Sequence, residues 1–351
     1  MRTAEEPESP SAPPGPRPPE RVTSARAPSA ASRGQTASRA PAPASSSRIE
    51  DSRKLMWMQV LAFAAVYLIW GSTYLAIRVA VRTLPPFLLA GCRFVMAGAI
   101  LYAVLRARGV PSPTRREWAK GALSGLLMLT VGNGLVTWAE TRVASNLAAL
   151  LVAATPLYMA VLDWLRPGGV APERRTWIGI ALGALGMVLL VAHGGAPAGE
   201  SSPAAIVALL VAGLGWAAGA LYGRYGGLHR SPLMAASQQM IAGGLAQLML
   251  ACARGELRPF SFSGAGLVAF GYLTVVGSLV TFSAYGWLLK VSTPARLSTT
   301  AFVNPVVAVI LGWIILDETL PGRALAGAVL IVCAVVVMTV KLSPRRGRLR
   351  G

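Results

Sequence analysis

The chain is 351 residues long, with 54% hydrophobic and only 13% charged residues and a formal net charge of +19. Soluble domains carry about 25% charged residues, so an ordinary soluble globule is excluded. The basic residues punctuate long apolar runs instead of forming one stripe, which removes the case for a nucleic-acid partner. The three cysteines Cys92, Cys252 and Cys333 fall inside apolar runs, and their odd number excludes a disulfide framework.

Residues 1–54 are rich in Pro, Ser, Ala and Arg with almost no bulky apolar side chains. Such a segment cannot bury enough surface to offset its chain entropy, and it reads as a disordered cytoplasmic leader. An organelle-targeting peptide would also be Arg- and Ser-rich, but Glu5, Glu6, Glu8 and Glu20 count against it. A start at Met56 or Met58 is the third reading.

From Leu55 onward, apolar stretches recur at the length of about 20 residues that suits a bilayer. Spans are expected near 57–78, 86–106, 118–139, 143–165, 176–193, 203–223, 232–253, 264–288, 294–316 and 321–341. Each must be helical, because lipid cannot hydrogen-bond an open strand edge. Lys and Arg in the connections set the orientation. A cytoplasmic N-terminus places Arg48, Arg53 and Lys54, the basic residues from Arg106 to Lys120, then Arg166, Arg174 and Arg175 on one side. Arg224, Arg230, Lys290 and Arg296 join them, with the basic tail at 342–351. The opposite side receives only Arg78, Arg82, Arg142, Arg254, Arg258 and Arg323. Both termini are therefore expected in the cytoplasm.

The two halves of the chain resemble one another. Leu129-Thr130-Val131-Gly132-Asn133-Gly134-Leu135-Val136-Thr137 matches Leu273-Thr274-Val275-Val276-Gly277-Ser278-Leu279-Val280-Thr281 at six of nine positions. Thr155-Pro156 falls opposite Asn304-Pro305, and Pro172 opposite Pro321, at an offset of 149. Pro86 and Pro232, like Trp70 and Trp216, are 146 apart. The repeats are read as 55–195 and 203–341. Because five spans is an odd number, the second copy must enter from the opposite face. Inverted repeats of this kind occur in secondary transporters, with the substrate near the midplane between them.

The Trp70-Gly71-Ser72-Thr73-Tyr74 and Gly132-Asn133-Gly134-Leu135-Val136-Thr137-Trp138-Ala139-Glu140 segments, the proline-bearing fourth and ninth spans and the ten-span length resemble the EamA family of the drug/metabolite transporter superfamily. The resemblance covers about residues 57–341. It implies an all-α polytopic membrane protein of two inverted five-helix repeats, a bacterial inner-membrane location, and export of amino acids, metabolites or drugs. The leader is not part of that pattern.

Several residues could carry such a function. Pro156 and Pro305 lie about 20 Å and 17 Å into their spans at 1.5 Å per residue. Each removes a backbone donor, so with Thr155 and Asn304 they read either as gating bends or as prolines that only shape the bundle. Trp70 and Trp216 sit at mid-span, away from the interfacial belt that most tryptophans occupy. With Ser72, Thr73 and Tyr74 beside it, Trp70 suits a cavity wall, whereas Trp216 also suits plain packing. Arg93 stands about 10 Å inside the second span, where ionisable groups face the bundle interior and find a partner. Its repeat counterpart is Gln239. Arg93 and Glu140 are expected to face one outward vestibule, pairing with each other or receiving a zwitterionic substrate. The competing arrangement has Arg93 snorkelling outward and Glu140 paired with Arg142. Glu140 could equally serve as a proton-coupling group. Asn133 and Thr137 are further in-span polar candidates.

No P-loop, H-E-x-x-H or G-x-S-x-G is present, and the two histidines, His193 and His229, are too few for a metal site. Neither catalytic residues, nor a metal, nor a cofactor is expected. The partners implied are a small-molecule substrate and the lipid bilayer, with proton or ion coupling and a homodimer both open. The function expected is secondary transport by alternating access. An intramembrane enzyme or an assembly scaffold would be the alternative.

Overall fold

The computed structural model describes residues 46–169, 171–192, 202–257, 263–292, 300–318 and 322–339. The chain divides into two units, Met1–Ile49 and Glu50–Gly351. The first is described over 46–49 only, which are helical. The site and its packing lie within the second.

Among the described residues, ten helical stretches lie close to the apolar runs. They are α1 (Ser46–Ala80), α2 (Pro86–Ala107), α3 (Arg115–Ala139), α4 (Ser145–Leu165), α5 (Arg174–Ala192), α6 (Pro203–Tyr225), α7 (Pro232–Ala253), α8 (264–291), α9 (Thr300–Leu316) and α10 (Gly322–Thr339). Six, namely α1, α2, α3, α4, α6 and α8, contain segments long and apolar enough to cross a membrane. No strand occurs among the described residues. The helix starts follow local chemistry. Pro86, Pro203 and Pro232 occupy first-turn positions, where a missing N–H costs nothing. Thr114 and Glu117 form a reciprocal capping box on α3, and Ser263 accepts from the Gly266 N–H at the start of α8. One boundary differs from expectation: α1 begins at Ser46, so 46–54 are helical. That stretch has no proline and is rich in Arg, Glu and Lys, which favour helix. The rest of the leader, 1–45, and the basic tail lie outside the described residues.

The distribution of side chains is the reverse of a soluble protein's. Val268 is 74% and Leu61 67% exposed, while Glu140, Thr137, Gln238 and Gln247 are fully buried. An apolar exterior around a polar interior is what a lipid solvent demands. Among the described residues, this is an all-helical polytopic membrane protein.

Close helix pairing rests on small residues. α2 runs along α7, where a methyl group added at Gly98 would lie 2.9 Å from Met240 and Ile241. α5 runs along α10, with Gly186 against the Gly327 carbonyl and Ile331. Gly215 and Gly219 of α6 meet Val131 and Met128 of α3, while Gly71 of α1 meets Val307 and the Asn304 carbonyl of α9. Gly277 of α8 lies against Thr73 of α1, and Gly312 of α9 against Ser145 of α4.

Contacts at the helix ends give their directions. At one end Arg78, finishing α1, donates to the Glu140 carbonyl beyond α3. There Glu256, after α7, accepts from the Phe87 and Leu88 N–H groups that open α2, and Glu318, after α9, accepts from Ser145 and Asn146 at the start of α4. At the other end Gln59 of α1 donates to the Val291 carbonyl of α8. Lys120 of α3 donates to the Gly227 carbonyl after α6, and the Arg166 guanidinium beyond α4 stacks on Tyr225, the last residue of α6. α1 and α6 therefore run in opposite directions.

α3 and α8 share a feature that periodicity does not announce. Each is α-helical at both ends and π-helical between, over Leu126–Gly134 and Leu273–Val280. They overlap the stretches of the internal match, 129–137 and 273–281. Extra residues in a helix leave local carbonyls for other donors, and such segments are frequent at functional sites. The Leu129 carbonyl accepts from the Gln247 amide of α7, and the Thr130 hydroxyl donates to the Gly243 carbonyl. Thr281 Oγ1 bonds back to the Val276 carbonyl at 2.7 Å.

Candidate substrate site

The site begins at mid-bundle with rings from four helices. The Trp70 indole of α1 lies 6.2 Å from Trp216 of α6, edge to face, 5.5 Å from Phe282 and 5.0 Å from Tyr285, both of α8. Phe94 of α2 meets Phe282 at 6.2 Å. The two tryptophans separated by 146 positions thus come together in space. Offset and edge-to-face pairs of this kind add to the stabilisation from burial alone.

Beside the rings, α3 presents a polar face. Asn133, Thr137 and Glu140 are spaced by four and three residues, which puts them on one side of a helix. Arg93 is 3% exposed and crosses from α2 to donate from Nη2 to Asn133 Oδ1 at 2.7 Å. Its guanidinium carbon stands 4.3 Å from the centroid of Phe94. The Thr137 hydroxyl donates to the Asn133 main-chain oxygen at 2.9 Å and reaches Asn133 Oδ1 at 3.3 Å. Arg93 therefore points into protein and does not snorkel.

Glu140 ends this polar face. It is fully buried, and neither carboxylate oxygen has a hydrogen-bond partner among the described residues. It does not pair with Arg142, whose guanidinium lies over the Trp138 ring and donates to the Thr141 hydroxyl. No ion pair joins Glu140 to Arg93 among the described residues. Arg93 Nε is likewise without a hydrogen-bond partner.

The other expected site residues are spread more widely. Ser72 shares a 2.6 Å hydrogen bond with the Tyr272 hydroxyl of α8, and Thr73 turns back to the Trp70 carbonyl. Tyr74 packs against the apolar cluster of Val136, Ala139 and Val143. Gln239 is placed apart from Arg93. It donates to the Ser124 hydroxyl, which donates in turn to the Gly219 carbonyl, tying α7, α3 and α6 together. Its sequence relation to Arg93 keeps the position in the helix but not the partner, since α3 offers Ser124 at that level.

The two prolines differ. α4 is interrupted at Ala153–Ala154, and Pro156 sits in the first turn of the helix that resumes at Thr155. The Thr155 hydroxyl caps the break by donating to the Val152 carbonyl. Pro305 instead lies inside the continuous helix α9, next to Asn304, whose buried Oδ1 has no hydrogen-bond partner among the described residues. The two prolines thus stand at one break and within one continuous helix.

The family model for the EamA-like transporter family matches residues 56–192 and 203–340, once for each half. The chain belongs to the EamA-like transporter family. It is 39% identical to the "Uncharacterized inner membrane transporter YedA" of Escherichia coli K12 over 79% of this chain and 89% of that protein. It is 28% identical to the "Probable terminal-alkyne amino-acid exporter" of Streptantibioticus cattleyicolor over 84% of this chain and 96% of that one. A solved crystal structure shares the fold, with a TM-score of 0.57 and 21% identity, covering 81% of this chain and 96% of its own.

Phe94, Phe282 and Tyr285 complete the aromatic cluster and were not predicted from sequence. An aromatic residue in an apolar span carries no mark that separates a site wall from packing.

Proposed function

We propose that this chain is a secondary transporter that exports a small polar metabolite, amino acid or drug across a bacterial inner membrane by alternating access. The observation that carries this is the buried polar face Arg93–Asn133–Thr137, set against Trp70 and Trp216 from corresponding helices of the two halves. Polar groups cost free energy at membrane depth unless they serve a substrate, an ion or a partner. Arg93 would hold an anionic group of the substrate while the rings hold its apolar part.

The ten helices form two five-helix repeats of opposite direction, with both termini in the cytoplasm. Three features support this: the double family match, the opposite courses of α1 and α6, and the way the packed pairs exchange when the halves are swapped. The contact of α3 with α6 becomes that of α8 with α1, while α2–α7, α4–α9 and α5–α10 map onto themselves. Such halves have two packings of similar energy, one open to each face. The break at Ala153–Ala154 is the gating bend of α4, with Pro156 only opening the helix that resumes after it, and Asn304-Pro305 is the gating bend of α9.

Counterflow into proteoliposomes with labelled amino acids, purines and cationic drugs tests the proposal. At least one solute should exchange, and its exchange should be slowed in Arg93→Gln by about 10- to 100-fold. If purified, folded protein moves none of them, the proposal falls.

A further inference from the structure

Two carboxylates join the halves at one end of the bundle, the end that the transport proposal places outside. Glu256 accepts from the Phe87 and Leu88 N–H groups at 2.9 and 3.0 Å. Glu318 accepts from the Ser145 N–H and hydroxyl and the Asn146 N–H at 2.9, 2.7 and 3.1 Å. Each acid belongs to the second half and holds the first turn of a first-half helix, α2 or α4. Free N–H groups and the helix dipole favour an anion there, and bonds to an ionised acceptor are about twice as strong as neutral ones.

Both acids are aimed by a turn at a helix end. After α7, Gly255 is left-handed at φ +70° and the Glu256 N–H returns to the Ala251 carbonyl at 2.9 Å, the ending that throws the next residue back across its helix. After α9, Asp317 is left-handed at φ +54° and the Glu318 N–H returns to the Gly312 carbonyl at 3.1 Å. A methyl group at Gly312 would lie 2.5 Å from Glu318 Oε2, so the glycine leaves the carboxylate its place. The first half repeats these turns after α2 and α4. Gly109 and Gly168, left-handed at φ +80° and +75°, stand 146 and 149 positions before Gly255 and Asp317. The Val110 N–H returns to the Leu105 carbonyl at 3.0 Å, as Glu256 does to Ala251. Yet the residues in the places of Glu256 and Glu318 are Val110 and Gly169, neither with an acceptor side chain. The start of α7 is capped from within its own half, by Ser231 accepting from the Met234 N–H.

We infer that Glu256 and Glu318 are the positioning residues of an outer gate. Together they latch α2 and α4 of the first half to the second half, and both must let go before the outward end opens. The inference rests on the transport proposal and adds which face is barred in the substrate-free protein. Because the matching turns at the other end carry no carboxylate, the two closures are unequal and the outward-closed packing is favoured. A substrate opens the gate only by as much as it prefers the other packing.

A membrane-impermeant thiol reagent applied to intact cells reads the gate without any solute. In the full chain with Cys92, Cys252 and Cys333 replaced, the reporters are Ala90→Cys of α2 and Ala148→Cys of α4. Both positions are fully buried, about one turn below the latched N–H groups. Latch and reporter are crossed, so that Glu318→Ala is read at Ala90→Cys and Glu256→Ala at Ala148→Cys. Loss of one latch should speed labelling about tenfold, and loss of both about 100-fold. Where an alanine variant fails to reach the membrane, Glu→Gln, which keeps the size and loses the charge, should give the same pattern with a smaller gain. Labelling that rises only on the helix whose own latch was removed marks a local cap and overturns the inference. Labelling equal to wild type in the double variant overturns it too. Absence of counterflow in wild type counts against the transport proposal, whereas failure of the crossed labelling counts against the gate.

Discussion

A guanidinium enclosed by protein at membrane depth must find acceptors or a ligand, and Arg93 has found one acceptor, Asn133, with its Nε left over. A hydrogen bond to a charged group is worth about 1.5–3 kcal/mol. Arg93→Gln should therefore keep the fold and lower kcat/KM for a carboxylate-bearing substrate by about 10- to 100-fold, read by uptake into proteoliposomes. Unchanged uptake would remove Arg93 from the site. Trp70 sits at the centre of its cluster, touching Trp216, Phe282 and Tyr285. Trp70→Ala should cost about 3–5 kcal/mol, seen as a lower Tm in detergent, and Trp70→Phe should recover most of it. Arg93 and Glu140 are legible in the sequence because a charge interrupts an apolar run. Phe282 and Tyr285 are not, because nothing in a run of apolar residues distinguishes a ring that meets Trp70 from one that meets lipid.

Helices of this protein carry their irregularities in places where side chains and small residues support them. Pro156 lies in a first turn, where its missing N–H is not needed. Pro305 lies within α9, where it removes a hydrogen bond. Pro156→Ala should leave both stability and transport near wild type, while Pro305→Ala should leave a stable protein that transports more slowly, as measured by melting and counterflow rates. Equal effects at the two sites would contradict distinct roles. Gly125 is pressed against the Gln239 backbone where α3 crosses α7. Gly125→Ala should force the helices apart at a cost of about 1–3 kcal/mol, and a Tm equal to wild type would show that the crossing can relax. The sequence shows where the helices lie, because each is an apolar run between turn-formers. It does not show the π-helical segments of α3 and α8. Those depend on which partner on another helix takes the freed carbonyl, as Gln247 does for Leu129.

On the scale of the molecule, an apolar exterior and a polar interior follow from a chain with few charges, most of them kept to its connections. That much is readable from composition and spacing, as is the duplication, because residues 129–137 and 273–281 share order and type. The convergence of Trp70 on Trp216 was open, since equal positions in two repeats need not meet. It follows from how α1 packs on α8 and α6 on α3, which a single sequence does not encode in any local pattern. The central claim is that matching helices of the two halves run in opposite directions across the membrane. It is tested most directly in intact cells, in a background where Cys92, Cys252 and Cys333 are replaced, with a membrane-impermeant thiol reagent and one cysteine placed at the start of either helix. Ser202→Cys, before α6, should label from outside, and Arg53→Cys, in the first turns of α1, only after the cells are opened. Labelling of both positions from the same face would contradict the account.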